Sequence, residues 1–550
     1  MEAVWRFFAE QYEPRNPFSI ELHRNPTRSL YYETFLATSA LTASVLLIYS
    51  LEYAAARSCC WRLLKLSSLA HPVQFLILVV PFLACVLDYP YALYTRFVLQ
   101  FDAFCCLASA ACCLHKRLRR RRSRGGMLDK PPPSTSTQAS SVEQSNRPPT
   151  NDFQTVYRSI VYLSTAVCIF ARDQPCWRND FSKADSFGTA LMDVGLGCFV
   201  VCIGSLGPTA TRAKIEVNRS AAMKKAGAQF ILLAFCGLVK SISVAIDIAL
   251  DQTVYEESWH EYGVHWNAFY TLAVAKLGGT ALELYILPDR MSPLLAALLA
   301  GAGHETLLAS AGIAGYVLAP GQLEPYNRAS LFGANREGIC SMLGIPTLYL
   351  VGLQLGRWTG ACAKQLELGA DPQRQAVAMR RLLGRVASLL AGCLLYRVLL
   401  GCLPQLLLPE SRRLLNPSYA AWIAAFSAFA HINVWLMMAA KLLMTEPQNL
   451  SGFRMAPIHL RQVDVVGLMY FLVANLLTGL VDFLVKVTVP DRESIDGWPC
   501  FVLVLSYMSL VYPAARLANR LLNVRAVIAK LTGCVSDAAS AWRPCRLTAC

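Results

Sequence analysis

Two charged side chains ten residues apart, Asp173 and Lys183, stand in RDQPCWRNDFSKADSFGTALMDVGLG, residues 172–197, between two of the most apolar runs of the chain. A carboxylate beside an ammonium can move a proton: partial desolvation raises the aspartate's affinity for it, and the lysine's charge lowers it again. The same two groups would serve equally as a salt bridge fixing a hairpin, since Pro175 turns the chain directly after Asp173. Asp193, in ALMDVGLG, sits inside an apolar run beside Gly195 and Gly197, where another helix can approach closely. It belongs either to helix packing or to the chemistry. EYGVHWN, at 261–267, adds Glu261, His265, Trp266 and Asn267 in front of a further apolar run. A histidine titrating near neutrality is a candidate base, and a histidine with a tryptophan at a membrane interface is also an anchor.

The elements that must position these groups are membrane spans. Of 550 residues, 55% are hydrophobic and 16% charged, against about 25% charged in an ordinary soluble domain. Apolar runs near the roughly 20 residues a bilayer requires recur at 33–50, 72–88, 93–114, 154–171, 187–207, 228–250, 266–287, 293–318, 339–355, 382–408, 418–441, 463–488 and 498–522. Lipid offers no hydrogen-bond partners, so each is expected to be a helix. The expected fold is all-α, a polytopic membrane protein of about thirteen spans.

The formal net charge of +15 is distributed as a topology signal and does not point to nucleic acid. Lys and Arg cluster in alternate loops, as in HKRLRRRRSR at 115–124, whereas DQTVYEESWHEYGVH at 251–265 holds four carboxylates and no Lys or Arg. Positive loops stay cytosolic, which sets residues 1–32 and the charged loops at 172–186 and 251–267 on the far side and the tail 523–550 in the cytosol. The first residues lack a cleavable signal, so the first span is expected to serve as one. Pro, Ser, Thr and Gln dominate after the basic run, and 115–152 is expected to be a disordered cytosolic loop inside one integral domain, 33–522. The twenty cysteines fall mostly within spans, where a thiol acts as a small hydrophobe. No spacing suggests a metal site, and none of HExxH, GxSxG or a Walker lysine loop is found. Any chemistry must be of a kind that scattered helix-end residues perform on a membrane substrate.

Several motifs together carry a resemblance. YEESWHEYGVHWNAFYTL at 255–272, NREGICSMLG at 335–344, ANLLTGLVD at 474–482, LDYPYALY at 87–94 and the K-x-x-x-x-G-x-x-L-M-D-x-G-x-G pattern from Lys183 to Gly197 resemble the glycosylphosphatidylinositol inositol acyltransferases, whose fungal members are the anchored-wall transfer proteins. The resemblance implies a multi-pass enzyme of the endoplasmic reticulum membrane. It would move a long acyl group, palmitoyl in the usual case, from acyl-CoA as co-substrate to the inositol 2-hydroxyl of glucosaminyl-phosphatidylinositol, with no bound cofactor or metal.

By the same resemblance Asp173 and Lys183 are the catalytic pair, and Asp193, Glu261, His265, Asn267, Asn335, Arg336, Glu337 and Asn475 are substrate-binding candidates. Arg336 would meet the phosphate and Glu261 the glucosamine ammonium, with His265 the second candidate base. The chain departs from the family between the pair: F-P-R-R-F-A-K reads Trp177-Arg178-Asn179-Asp180-Phe181-Ser182-Lys183, and Asp482 stands where the family commonly has Asn. Two other classes remain open: a transporter or lipid scramblase, since intramembrane Asp, Lys and His also mark transport pathways, and a membrane O-acyltransferase with another acceptor, built around His265 and Asn267.

Overall fold

The computed structural model describes residues 27–55, 70–87, 91–125, 151–184, 186–210, 214–249, 261–318, 330–367, 372–402, 407–445, 456–488 and 497–522. These residues are helical throughout, apart from short connections and one isolated bridge between Leu87 and Trp177. The helices are α1 (Thr27–Ala55), α2 (Ala70–Val86), α3 (Tyr91–Gly125), α4 (Asp152–Ala171), α5 (Leu191–Ser205), α6 (Arg219–Ala249), α7 (Ala268–Ala281), α8 (Pro293–Ser310), α9 (Ile313–Leu318), α10 (Leu331–Ala334), α11 (Arg336–Ser341), α12 (Ile345–Glu367), α13 (Pro372–Cys402), α14 (Pro417–Met444), α15 (Ile458–Val465), α16 (Gly467–Thr488) and α17 (Trp498–Leu522). Every apolar run expected to span falls on one or more of them. Eight helices among the described residues are long and apolar enough to cross a membrane, and the apolar segments His71–Val86 and Leu191–Ser205 are shorter. The protein is an all-α polytopic membrane protein.

Several expected elements differ in detail. The run at 293–318 is two helices, broken at Gly312, whose φ of 64° is open to glycine without cost. The run at 266–287 ends in a π-turn, Leu282–Ile286. The loop expected at 115–152 begins later: α3 continues to Gly125, because Lys and Arg are good helix formers even outside the bilayer. Residues 126–150, like 1–26, 88–90 and 523–550, lie outside the described residues.

Packing around the site is tightest where α5 lies against α12. A Cβ on Gly204 would run into the carbonyl oxygen of Tyr349, so the two backbones touch directly. α4, α16 and α17 form a second packed group, with Phe170 stacked on Tyr507 at 4.1 Å between ring centres. Cys176 and Cys500 are joined in a disulfide. The expectation that cysteines act as small hydrophobes therefore fails for this pair. Cys176 lies in the turn after α4 and Cys500 in the first turn of α17, and their Cα atoms stand 6.2 Å apart, within bonding range.

Candidate active site

The charged stretch folds as a partly buried strap between α4 and α5. α4 stops at Arg172, whose Nη1 donates to Asp173 Oδ1 at 3.1 Å. The chain then turns back: Trp177 Nε1 donates to Ser182 Oγ at 3.0 Å, and Arg178, 3% exposed, lies over the ring of Phe181 at 4.5 Å. Within the WRND departure Trp177 and Arg178 are thus packed inside the strap, whereas Asp180, 3.7 Å from Arg178, is exposed. Lys183 follows, its Nζ 2.5 Å from Glu261 Oε1.

Asp193 is placed differently from its expected position within a span. α5 begins only at Leu191, so Asp193 occupies the first helical turn, where a carboxylate is favoured by the orphan amide groups. Its Oδ2 accepts from the backbone N–H of Ala190 at 3.3 Å and of Ala184 at 3.1 Å. Its Oδ1 accepts from Arg412 Nε at 2.8 Å, and Arg412 Nη1 lies 3.5 Å from Glu261 Oε2. Lys183, Glu261, Arg412 and Asp193 thus form one chain of alternating charge. Asp193 is fully buried and Arg412 is 4% exposed. Burial pushes the Glu261 carboxyl up, but Arg412 and Lys183 outweigh it and hold it at about 2. Burial lowers the Lys183 ammonium below its ordinary range, with Glu261 pulling part of the way back.

The support for this chain comes from PESRRLLNPS, which starts at Pro409 and is read from sequence only as a loop. Glu410 to Asn416 are buried. Asn416 caps α14 by accepting from Tyr419 N–H at 3.2 Å and donates to the Pro409 carbonyl at 2.8 Å. Ser411 Oγ donates to the Ser186 carbonyl at 2.6 Å, and Gly188 N–H to the Glu410 carbonyl at 2.9 Å, pinning the strap. Arg412 and Arg413 had one signal in the sequence: arginines in a loop expected on the non-cytosolic side have no topological reason to be there, and so call for internal partners.

A cavity of about 440 Å³ opens beside the strap. Arg172, Asp173, Lys183, Lys240, Glu261 and Asp482 give it a polar end; Leu196, Phe199, Leu272, Phe426 and Phe471 line its apolar depth. Gly195 faces open space along this wall, whereas a Cβ on Gly197 would meet the Ile423 side chain at 2.6 Å, so only the latter serves a close helix contact. Of the sequence-selected residues, Asp173, Lys183, Glu261 and Asn475 line the cavity.

The others frame it. Asn267 caps α7, accepting from Phe269 N–H at 3.0 Å and donating to the Gly237 carbonyl at 2.9 Å. Asn335 Oδ1 accepts from the N–H groups of His265 and Trp266 at 2.8 and 2.9 Å. Arg336 is fully buried beside Glu337, which also meets Arg413 at 3.5 Å. The His265 side chain is exposed and does not line the cavity. Among the described residues no group of three or more His, Cys, Asp or Glu is arranged to hold a metal.

Comparison with known proteins bears on the family that the motifs resemble. A family model described as GWT1 matches residues 23–517. The chain belongs to the GWT1 family. GPI-anchored wall transfer protein 1 of Cryptococcus neoformans var. neoformans is 30% identical over 63% of this chain, and the match spans 58% of that relative's own length. The protein of the same name from Emericella nidulans is 30% identical, over 68% of this chain and 73% of its own. That from Kluyveromyces lactis is 27% identical, over 65% and 72%.

Proposed function

We propose that this GWT1-family protein acts in glycosylphosphatidylinositol-anchor biosynthesis as an acyl-CoA-dependent O-acyltransferase. It moves a long acyl group, such as palmitoyl, to the inositol 2-hydroxyl of glucosaminyl-phosphatidylinositol. The observation that carries the reading is the cavity, in which Asp173 and Lys183 stand at the polar end of a slot whose depth is aromatic and aliphatic. A lipid acceptor and a fatty thioester both need such a division.

Attack of a hydroxyl on a thioester requires a base for the hydroxyl proton and positive charge for the tetrahedral oxyanion. Asp173 takes the proton. Lys183, presented by Glu261, faces the oxyanion, and the CoA thiolate leaves as the ester carbonyl re-forms. The Arg172 guanidinium, 3.1 Å from Asp173 Oδ1, orients that carboxylate.

The setting proposed is the endoplasmic reticulum membrane with the polar end toward the lumen. The Cys176–Cys500 disulfide supports this, because disulfides persist in oxidising compartments. The test is turnover by the purified protein in lipid with glucosaminyl-phosphatidylinositol and palmitoyl-CoA. Asp173→Ala and Lys183→Ala, checked for folding by gel filtration, are expected to lose at least about 100-fold. Full turnover in both would reject the assignment, and movement of lipid without ester formation would favour a scramblase.

A further inference from the structure

The strap that carries Asp173 and Lys183 is seated at its two ends on different parts of the bundle. Directly after Asp173 the chain makes a tight turn: Trp177 N–H donates to the Gln174 carbonyl at 3.1 Å, with Pro175 at the corner where a fixed φ is favoured. Cys176 is the next corner of that turn, and its disulfide ties it to Cys500 in the first turn of α17. Trp177 then forms the bridge with Leu87, and Arg178 N–H donates to the Val86 carbonyl at the end of α2 at 3.4 Å. Trp177 and Phe181 are buried with Val86, Leu87, Cys500 and Val504 in one apolar cluster. The Asp173 half is thus seated on α2 and α17.

The Lys183 half is seated elsewhere. Lys183 meets Glu261, Ala184 N–H donates to Asp193, and the Ser186 carbonyl accepts from Ser411 Oγ. Phe187 packs against a different cluster, with Leu308, Val317 and Leu414. The two groups reach one cavity from two anchorages, so their mutual position depends on both. Only Gln174 and Pro175 separate Asp173 from the bonded cysteine, and proline removes one torsion from that short lever.

We propose that the Cys176–Cys500 disulfide is a positioning device, which holds Asp173 in register with Lys183 across the polar end of the cavity. This rests on the acyl-transfer reading for the roles of the two charged residues. A covalent tether fixes Asp173 where packing alone leaves it room to drift, and a displacement of about 1 Å at a reacting group costs on the order of 100-fold in rate. The apolar depth is lined by Leu196, Phe199, Leu272, Phe426 and Phe471, on helices that carry neither cysteine. Loss of the bond should therefore be felt in turnover far more than in binding of the acyl chain.

The test compares the purified full chain in nanodiscs with Cys176→Ser, Cys500→Ser, both together, and an apolar refill of the space, Cys176→Ala with Cys500→Val. With glucosaminyl-phosphatidylinositol and palmitoyl-CoA, kcat is expected to fall about 10- to 100-fold in all four, while KM for palmitoyl-CoA moves less than about threefold. The double Ser variant should be no slower than either single one, because each removes the same bond. Backbone hydrogen exchange should accelerate at 172–178 and stay as in wild type at 186–193. Recovery of kcat by the refill overturns the proposal, since packing alone would then suffice, and so do additive single effects. Equal acceleration of the two segments overturns it as well, because the bond would then hold the whole strap and not Asp173. Absence of ester formation by wild type would overturn the acyl-transfer reading alone, and acceleration confined to 172–178 would still show the bond holding that half of the strap.

Discussion

Arg412 is the residue on which the charged strap depends, and its removal has a calculable consequence. It is 4% exposed and faces two carboxylates, at 2.8 Å on Asp193 and 3.5 Å on Glu261. With an effective dielectric of about 20, those separations correspond to gross attractions of roughly 6 and 5 kcal/mol. Desolvation of the three groups cancels much of this, and truncating one partner of a buried pair costs about 3–5 kcal/mol because it strands the opposite charge.

Arg412→Met keeps most of the side chain's length and leaves Lys183, Glu261 and Asp193 with one excess negative charge. Adding Asp193→Asn restores neutrality while an amide oxygen still accepts from Ala184 and Ala190. The double variant should therefore recover at least about 1–2 kcal/mol relative to the sum of the single changes, within the coupling range of groups in direct contact. The assay is a double-mutant cycle on unfolding by SDS in mixed micelles, followed by tryptophan fluorescence. Additive single effects, with no coupling, would refute the claim that a buried charge chain holds the strap.

Three further outcomes follow from the same geometry. Glu261 is held at about 2 in the folded protein against an ordinary 4.5. Its stabilising contribution is therefore present in full above 4.5 and lost as pH falls toward 2, so the difference in Tm between wild type and Glu261→Gln should be flat from about pH 7 to about pH 5 and narrow below that. Lys183 is lowered from 10.5 by burial; if its ammonium serves the oxyanion, turnover fails on an alkaline limb lying below that value, and Lys183→Arg moves the limb upward, as a pH–rate profile would report. Gly195→Leu projects into the cavity and should shorten the acyl chain accepted with little loss of thermal stability, whereas Gly197→Leu meets Ile423 and Tyr419 and should destabilise by about 1–3 kcal/mol; equal stability of the two variants would contradict the assigned wall.

Hydropathy made the helices legible because lipid forces every backbone group of a span into internal hydrogen bonds. It could not show breaks that tertiary contacts decide, such as the two helices meeting at Gly312 or the start of α5 at Leu191. Asp173, Lys183 and Glu261 stood out as charges at the ends of apolar runs, and all three line the cavity. Their partners were hidden by distance along the chain: Lys183 meets Glu261 and Asp193 meets Arg412, 219 residues away, pairings that no local spacing encodes. Asn267 and Asn335 were conspicuous in their motifs, yet each satisfies backbone N–H groups beside the site. A polar residue selected to place a backbone and one selected to bind a ligand look alike in one sequence. Asp482 was visible only as a departure from the family pattern, and its hydrogen-bond partner Gln174 lies 308 residues away.

The disulfide also governs the order in which the protein can be completed during synthesis. Cys176 precedes its partner by 324 residues, so the ribosome has made Asp173 and Lys183, and nearly every other helix described above, before the thiol that fastens the segment between them exists. A chain released before residue 500 carries the whole charged strap in its sequence and the Cys176 thiol without the sulfur that pairs with it. Such a chain is chemically distinguishable from the finished protein beside the strap itself.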